Sequence, residues 1–465
     1  MNAILRNAGS FRDPAGYVFE FNNHIYRAVT DTAVEDARAF LASDAFARLQ
    51  AGRKLVRTQW IDRTLVPLAP VEASEILSHE RVPFVSYPYE WPFELLQQAA
   101  LLHLDVQIEA LKDGFALSDA SAYNVQFIGP EPIFIDLLSF RPYSDGEIWA
   151  GYRQFRNQFL NPLLMQALVG VPHHHWYRGS LEGIESADLA RMLPWTSRFS
   201  PSVLAHVLAP ARMERQAAQR GQAALQKAST ARLGQSRFLG LLQQLRQWIA
   251  ALEPRQADQT TWQDYDRENT YDQRERAAKK AFVQRFCAQA KPGMLLDIGC
   301  NTGEYSEAAL EAGAASVIGL DFDAGALRKA FGRARSKKLA FLPLYQDGAN
   351  PSPGQGWAHS ERGPIGERGS FDAVLALAVE HHLAIGRNIP LDQVVAWIVG
   401  QAPRGVVEFV PKSDPTVQTM LALREDIFPG YTRAAFEAAL GSQARIVHTE
   451  TVSTSERVLY AFDRR

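Results

Sequence analysis

The chain has 465 residues, 46% of them hydrophobic, with a formal net charge of −2. That length exceeds what one hydrophobic core usually serves, so two or three domains are expected, and the near-neutral charge gives no whole-surface attraction to nucleic acid or to an anionic membrane. Cys287 and Cys300 are too few for a disulfide framework, the start Met1-Asn-Ala-Ile-Leu-Arg lacks a secretory pattern, and no apolar run approaches the roughly 18 residues of a membrane span; a soluble, cytoplasmic protein is the expectation.

Residues 17 to 29 are two β-type runs about Asn22-Asn23, which predicts a hairpin. A helix is predicted from about Thr32 to Leu49 and strands over Lys54–Ile61 and Val82–Tyr87. From Pro92 to Leu111 the apolar residues Leu95, Leu96, Ala99, Leu102 and Val106 recur at helical spacing, and the helix ends near Asp113-Gly114. Next come Asp119, Asn124, a β-type run, a short turn and the strand Pro132 to Asp136. An aspartate, an asparagine five residues on, two strands and a second aspartate is the order of a kinase catalytic loop and its metal-binding aspartate. In that pattern Asp119 is the general base, and Asn124 and Asp136 are oxygen ligands for magnesium. Residues 1–202 thus resemble the aminoglycoside-phosphotransferase and protein-kinase-like folds, which implies a kinase-like α+β domain with magnesium–ATP as its ligand. The region departs from those folds at Leu117-Ser118, lacks a glycine-rich loop near Tyr17, and offers only Arg27 and Lys54 as strand cations. The alternative for Asp119 and Asn124 is turn hydrogen bonding.

Residues 145 to 200 are rich in aromatics and arginine, as in a core helix. His173-His-His175 does not predict a metal, because consecutive histidines diverge on any regular element and zinc ligands are usually spaced. Residues 203 to 253 form a polar helical stretch, interrupted near Gly221 and Gly234 and ended by Pro254, and 203–260 is read as a linker. From Thr261 to Ala290 the chain is helical again, with Trp262, Tyr265, Tyr271, Arg274 and Lys280 ahead of an apolar stripe of Phe282, Val283 and Phe286.

Leu295-Leu-Asp-Ile-Gly-Cys-Asn-Thr-Gly-Glu is a strand, a glycine turn and a helix start, with Gly299 and Gly303 spaced Gly-x-x-x-Gly rather than in the dinucleotide pattern. Asp297 at the strand end would repel a pyrophosphate but attract an ammonium or a sulfonium, and S-adenosylmethionine carries both. A second strand ends at Asp321, 24 residues on, where an acid takes ribose hydroxyls in a doubly wound fold. A third strand, Leu339 to Tyr345, leads to Asp347, which can accept from an adenine amino group. Strands at Phe371–Ala378, Gly405–Val410, Ile446–His448 and Arg457–Phe462 complete a seven-stranded sheet.

These elements in this order resemble the class I S-adenosylmethionine-dependent methyltransferases over residues 261–465. The runs Asp347-Gly-Ala-Asn-Pro-Ser-Pro, Gly356-Trp357, Glu361-Arg362, Ala378-Val-Glu-His-His-Leu-Ala-Ile and Glu408-Phe-Val-Pro-Lys-Ser-Asp-Pro resemble the subgroup of NoeA-type nodulation proteins. The implied fold is α/β: a C-terminal Rossmann-like sheet, an N-terminal α+β domain and a helical linker. The implied cofactor is S-adenosylmethionine, held by Asp297, Gly299, Asn301, Gly303, Asp321 and Asp347; Asn301 stands where many members carry a glycine. The resemblance points to a small-molecule or glycan acceptor. His381, His382 and Glu380, past the fourth strand, are the candidates for taking a proton, and Glu408, Lys412 and Asp414 for lining the acceptor pocket. Two alternatives stay open: a bifunctional kinase–methyltransferase acting on one substrate, and a binding protein with a relic cofactor site.

Overall fold

Asn22 and Asn23 take positive φ angles of 50° and 63°, a conformation asparagine tolerates and one that matches the twist of a tight hairpin. In the computed structural model, which describes residues 4–66, 73–220, 232–255, 273–422 and 425–465, this hairpin is β2 (Gly16–Phe21) and β3 (His24–Val29). With β1 (Leu5–Arg6), β4 (Thr58–Ile61) and β5 (Glu75–His79) it makes an antiparallel sheet in the order β1-β2-β3-β5-β4. Phe19, Ala28, Ile76, Val66 and Ala73 form the apolar cluster of that sheet.

Two predicted elements differ from the structure here. The helix expected over 32–49 is two helices, Asp31–Leu41 and Asp44–Ala51, because the Ser43 hydroxyl accepts from the Phe46 N–H and starts the second one. Val82–Tyr87 is not a strand. Pro83 removes a donor, and the Gln126 side chain takes the place of a neighbouring strand, accepting from the Ser86 N–H at 2.9 Å and donating to its carbonyl at 3.0 Å.

The chain divides into two compact units, Met1–Gln256 with Gly354–Gly363, and Ala257–Pro353 with Pro364–Arg465. In the first unit the helix Phe93–Lys112 buries the predicted stripe of Leu95, Leu96, Ala99, Leu102 and Val106. Two short antiparallel pairs follow it, β6 (Phe115–Leu117) with β9 (Phe140–Pro142) and β7 (Val125–Ile128) with β8 (Glu131–Phe134). In the stretch read as a linker, the helix Gln235–Ala250 buries Phe238, Leu242, Leu245 and Ile249 in the first unit. There Gln97 Nε2 donates to the carbonyls of Ile249 and Leu252, and Arg246 Nε donates to Asp105 at 2.5 Å. The predicted interruption at Gly221 and the aromatic residues Trp262, Tyr265 and Tyr271 lie outside the described residues.

The second unit is an α/β sheet. Its strands are β10 (Leu295–Ile298), β11 (Val317–Asp321), β12 (Phe341–Tyr345), β13 (Ala373–Ala376), β14 (Arg404–Phe409), β15 (Ala444–Thr451) and β16 (Val458–Arg464). Their order is β12-β11-β10-β13-β14-β16-β15, parallel from β10 to β14 and reversed only at β16. Parallel strands covered by helices on both faces read as continuous apolar runs, which is why their positions were visible in sequence. The helix Gln273–Ala290 places Phe282, Val283 and Cys287 in the core beside Leu295, Val317 and Phe341. Strand order reverses about β10, so β11 and β13 diverge there and leave a crevice beyond their carboxyl ends. Among the described residues, no helix is long and apolar enough to cross a membrane.

Candidate active site

The crevice is a cavity of about 350 Å³, with Gly299, Asn301, Asp321, Asp347, Lys279 and His382 in its wall. It begins at the glycine turn. Gly299, Asn301 and Gly303 have φ of 73°, 47° and 78°, and a Cβ on Gly303 would lie 2.5 Å from Phe341 Cε1. Only a residue without a side chain fits there.

Asp297 sits beneath this turn rather than in the cavity wall, 2% exposed, and accepts from the Ser306 hydroxyl at 2.6 Å. Burial pushes its carboxyl up to about 6; the Ser306 bond opposes that shift and the nearby Asp321 adds to it. Asp321 does face the cavity. Its two oxygens accept from the backbone N–H groups of Asn301 and Asp323, each at 2.9 Å, and burial, resisted by these bonds, holds it at about 6. Asn301 Oδ1 is buried with no partner. Asp347 accepts from the Ala349 N–H at 2.9 Å and from Arg387 Nη2 at 3.2 Å. The crevice thus presents carboxylates from the ends of β11 and β12, with a third buried behind β10.

The candidates past β13 separate sharply. Glu380 is fully buried and turned inward: Oε1 accepts from the Val410 N–H at 2.7 Å and from the Tyr431 hydroxyl at 2.8 Å, and Oε2 lies 3.3 Å from His381 Nδ1. His381 is fully buried too, and neither it nor Glu380 reaches the cavity wall. His382 does. Burial, then the proximity of His381 and Arg457, depresses its pKa to about 3, so the imidazole is neutral at physiological pH and can accept a hydrogen bond.

Glu408, Lys412 and Asp414 lie outside the cavity wall. Glu408 is fully buried, with Lys279 Nζ 2.5 Å from Oε2 and Arg457 Nη1 3.9 Å from Oε1. Asp414 takes Arg457 in a two-point pair, Nε to Oδ2 at 2.6 Å and Nη2 to Oδ1 at 2.8 Å. Lys412 pairs with Asp426 at 2.7 Å in an exposed contact. Sequence reasoning passed over Lys279. Its signal was its position on the apolar stripe with Phe282, Val283 and Phe286, where a cation needs a buried partner.

In the first unit the structure brings Asp119, Asn124 and Asp136 together. Asn124 Nδ2 donates to Asp119 Oδ1 at 3.0 Å and lies 3.3 Å from Asp136 Oδ2. Arg27, one of the two strand cations considered, reaches Asp136 at 2.5 Å and Asp13 at 3.6 Å, whereas Lys54 pairs with Asp105 at 3.0 Å. Burial, reinforced by Asp136, raises the pKa of Asp119. His173 and His174 are buried, and His174 Nδ1 lies 3.2 Å from the Tyr89 carbonyl oxygen. Among the described residues, no group of three or more His, Cys, Asp and Glu can by itself hold a metal ion.

Residues 296–398 match the family described as Methyltransferase domain. Nodulation protein NoeA of Rhizobium meliloti (strain 1021) is 45% identical over 459 residues, 99% of this chain and 96% of that protein. Among solved structures, magnesium protoporphyrin IX methyltransferase ChlM from Synechocystis PCC 6803, with S-adenosylhomocysteine bound, is 20% identical over 44% of this chain and 95% of its own, with a TM-score of 0.32. N-methyltransferase NodS from Bradyrhizobium japonicum WM9 is 14% identical over 42% of this chain and 98% of its own, with a TM-score of 0.31. The NoeA likeness runs from one end of the chain to the other, and the domain match falls on β10 to β13 and the cavity at their ends; the chain belongs to the NoeA family and is a class I S-adenosylmethionine-dependent methyltransferase.

Proposed function

We propose that this methyltransferase modifies a hydroxyl or amino group of a glycan or glycolipid, with residues 261–465 carrying the reaction and residues 1–202 forming an accessory domain of kinase-like fold. S-adenosylmethionine supplies a methyl group already activated on a sulfonium. The chain must therefore hold that methyl and the acceptor in line and take up one proton. In this reading Asp321 accepts from the ribose hydroxyls, and Asp347 faces the adenine amino group. Asp297 lends negative potential from below the turn to the cationic end, and the Lys279 ammonium offers a counter-charge to the carboxylate of the methionine part.

His382 carries the acceptor assignment. It is the neutral imidazole in the wall of the same cavity as Asp321 and Asp347, at the carboxyl end of β13 where acceptors enter open α/β sheets. A neutral ring accepts a hydrogen bond from a hydroxyl or amine and orients the lone pair that attacks. The test is methyl transfer from labelled S-adenosylmethionine to free oligosaccharides, lipid-linked oligosaccharides and protein. Glycan labelling is expected, with His382→Ala losing about 100-fold or more in turnover at unchanged S-adenosylhomocysteine affinity. Labelling of protein alone refutes the acceptor class, and wild-type turnover in His382→Ala refutes the role of the histidine.

The convergence of Asp119, Asn124 and Asp136 after the helix Phe93–Lys112 supports the kinase-like fold. It also favours a second reading, phosphoryl transfer by the first unit to the same acceptor.

A further inference from the structure

The first unit turns apolar residues outward where a surface helix ordinarily shows polar ones. Pro201–Val203, Leu204–Leu208 and Ala209–Arg220 follow one another as one helical run. Such a helix normally buries an apolar stripe and gives its charged face to water. Val203, Val207 and Ala211 are buried in that way, but His206 and Glu214 share their inner face: the Tyr152 hydroxyl lies 2.6 Å from His206 Nδ1, and Glu214 accepts from the buried Arg156 at 2.8 Å. On the outer face Leu204 and Met213 are 47% and 60% exposed, and Ala205 and Ala209 between them are exposed as well. The turn Trp195–Phe199 packs against Leu204–Leu208 and adds two rings, 73% and 72% exposed, in an edge-to-face pair at 5.9 Å. Arg198 fixes this turn by donating to the carbonyls of Ala190 and Leu193 at 2.9 and 3.4 Å, contacts that leave its charge unneutralised.

The charge on this face is as one-sided as its apolar character. The whole chain is at −2, yet no Asp or Glu occurs from Leu189 to Met213. The acids at the two ends of that stretch are paired, Asp188 with Arg191 at 2.7 Å and Glu214 with Arg156. Arg198, Arg212 and Arg215 are exposed, and the latter two have no ion-pair partner among the described residues. Large exposed apolar residues gathered on one face mark an interaction surface, and the unpaired arginines say of what kind. Rings and aliphatic ends seated at the acyl boundary, with guanidinium groups among lipid phosphates, is how a protein lies on an anionic bilayer. A second copy brought to this face would set arginine against arginine, and a neutral glycan would gain nothing from the charge. None of Trp195, Phe199, Leu204 and Met213 lines the cavity at Asp321 or the one at Asp119.

We propose that the face bearing Trp195, Phe199, Leu204, Met213 and the arginines 198, 212 and 215 docks the protein reversibly on an anionic lipid bilayer. The attraction is local, which is why the near-neutral charge of the whole chain does not register it. The proposal goes beyond the acceptor reading and does not rest on it: a lipid-linked acceptor would be met at such a surface, but the surface holds the protein whether or not the acceptor is there.

Co-sedimentation of the full chain with vesicles tests this, using phosphatidylcholine alone and equal parts of phosphatidylcholine and phosphatidylglycerol. Neither contains a glycolipid, so the result is separate from the identity of the acceptor. Binding to the mixed vesicles is expected, weak on phosphatidylcholine alone and reversed by added salt. Trp195→Ser with Phe199→Ser should lower the affinity about 10-fold or more, and Arg212→Gln with Arg215→Gln about 5-fold for each charge removed. Arg198 is left in place because it holds the turn. Every substituted side chain is exposed, so both variants should keep the wild-type melting curve and S-adenosylhomocysteine affinity, which shows that lost binding is not lost folding. Absence of binding to the mixed vesicles overturns the proposal, as does binding that is equal on both compositions or undiminished in either variant. Binding of free oligosaccharide, or a doubled mass in solution, that disappears in the Trp195 and Phe199 variant while vesicles stay unbound also overturns it and assigns the face to sugar or to a second copy.

Discussion

Lys279 and Glu408 give the sharpest energetic test of the active-site architecture. Both are buried, 2% and 0% exposed, and their charged atoms are 2.5 Å apart. Lys279→Met would leave the Glu408 carboxylate facing Arg457 at 3.9 Å, a guanidinium already committed to Asp414 through bonds of 2.6 and 2.8 Å. Breaking a buried ion pair from one side costs about 3–5 kcal/mol, because the remaining charge keeps its desolvation penalty and loses its compensation. Glu408→Leu is expected to cost a similar amount for the same reason. Replacing both residues removes both penalties, so the double variant should lie near wild type, with a coupling energy of about 3 kcal/mol or more. In a unit of this size each kcal/mol moves the melting point by about 2–4 °C, so each single variant should melt roughly 6–20 °C lower. The assay is thermal unfolding of the transition that S-adenosylhomocysteine shifts upward in the wild type, which isolates the methyltransferase unit. If either single variant melts within about 2 °C of wild type, or the double is no better than the worse single, the pair does not compensate buried charge in the way described.

Gly303→Ala should abolish measurable S-adenosylhomocysteine binding by calorimetry, since the residue has φ of 78° and its Cβ would stand 2.5 Å from Phe341 Cε1; retained affinity would show that the turn yields. Asp321 is raised from 3.8 to about 6 in the folded protein, so its contribution to the stability of the free protein is present below about 4 and fades as pH rises through 6. A ligand that donates to the ionised carboxylate shows the opposite trend: S-adenosylmethionine affinity should fall about tenfold from pH 7 to pH 5, with proton release on binding near pH 6, and a flat profile would contradict the assignment. Tyr431→Phe removes the hydroxyl that lies 2.8 Å from Glu380 Oε1 and 2.7 Å from the Val410 carbonyl, and should cost about 1–3 kcal/mol in chemical denaturation while leaving His382 in the cavity wall.

How much could be read in advance follows from how local each signal is. β10 to β14 were visible because a parallel sheet buried on both faces demands unbroken apolar runs, and the turn after β10 because Gly299 and Gly303 need positive φ within a few residues. Asp321 and Asp347 were found at the ends of their strands for the same reason. The first unit was harder. Val82–Tyr87 has strand composition, yet its partner is the side chain of Gln126, and no sequence period records a side chain standing in for a strand. Arg362 gave no sign of serving the first unit, because the chain on either side of its short segment Gly354–Gly363 belongs to the methyltransferase unit.

The acids after β13 and β14 show why residue type alone misleads near an active site. Glu380, Glu408 and Asp414 look in sequence like acceptor-pocket carboxylates, but each is consumed by internal partners: Val410 and Tyr431, Lys279, and Arg457. Paired in this way they hold three connections in register: the turn after β13, the strand end of β14, and the link between β15 and β16 that carries Arg457. A reaction whose chemical activation comes with its cofactor asks chiefly for placement, and placement to a fraction of an ångström is what a buried, fully paired charge network supplies. His382 follows Glu380 and His381, which bond each other, and its ring lies 4.1 Å from that of His381, so under the proposed function its orientation toward the acceptor would depend on residues that do not themselves line the cavity. On that account, disturbing Glu380 should impair transfer through the angle of His382 rather than through a lost base, and Glu380→Gln, which keeps the shape and one acceptor oxygen, should lose far less turnover than Glu380→Ala.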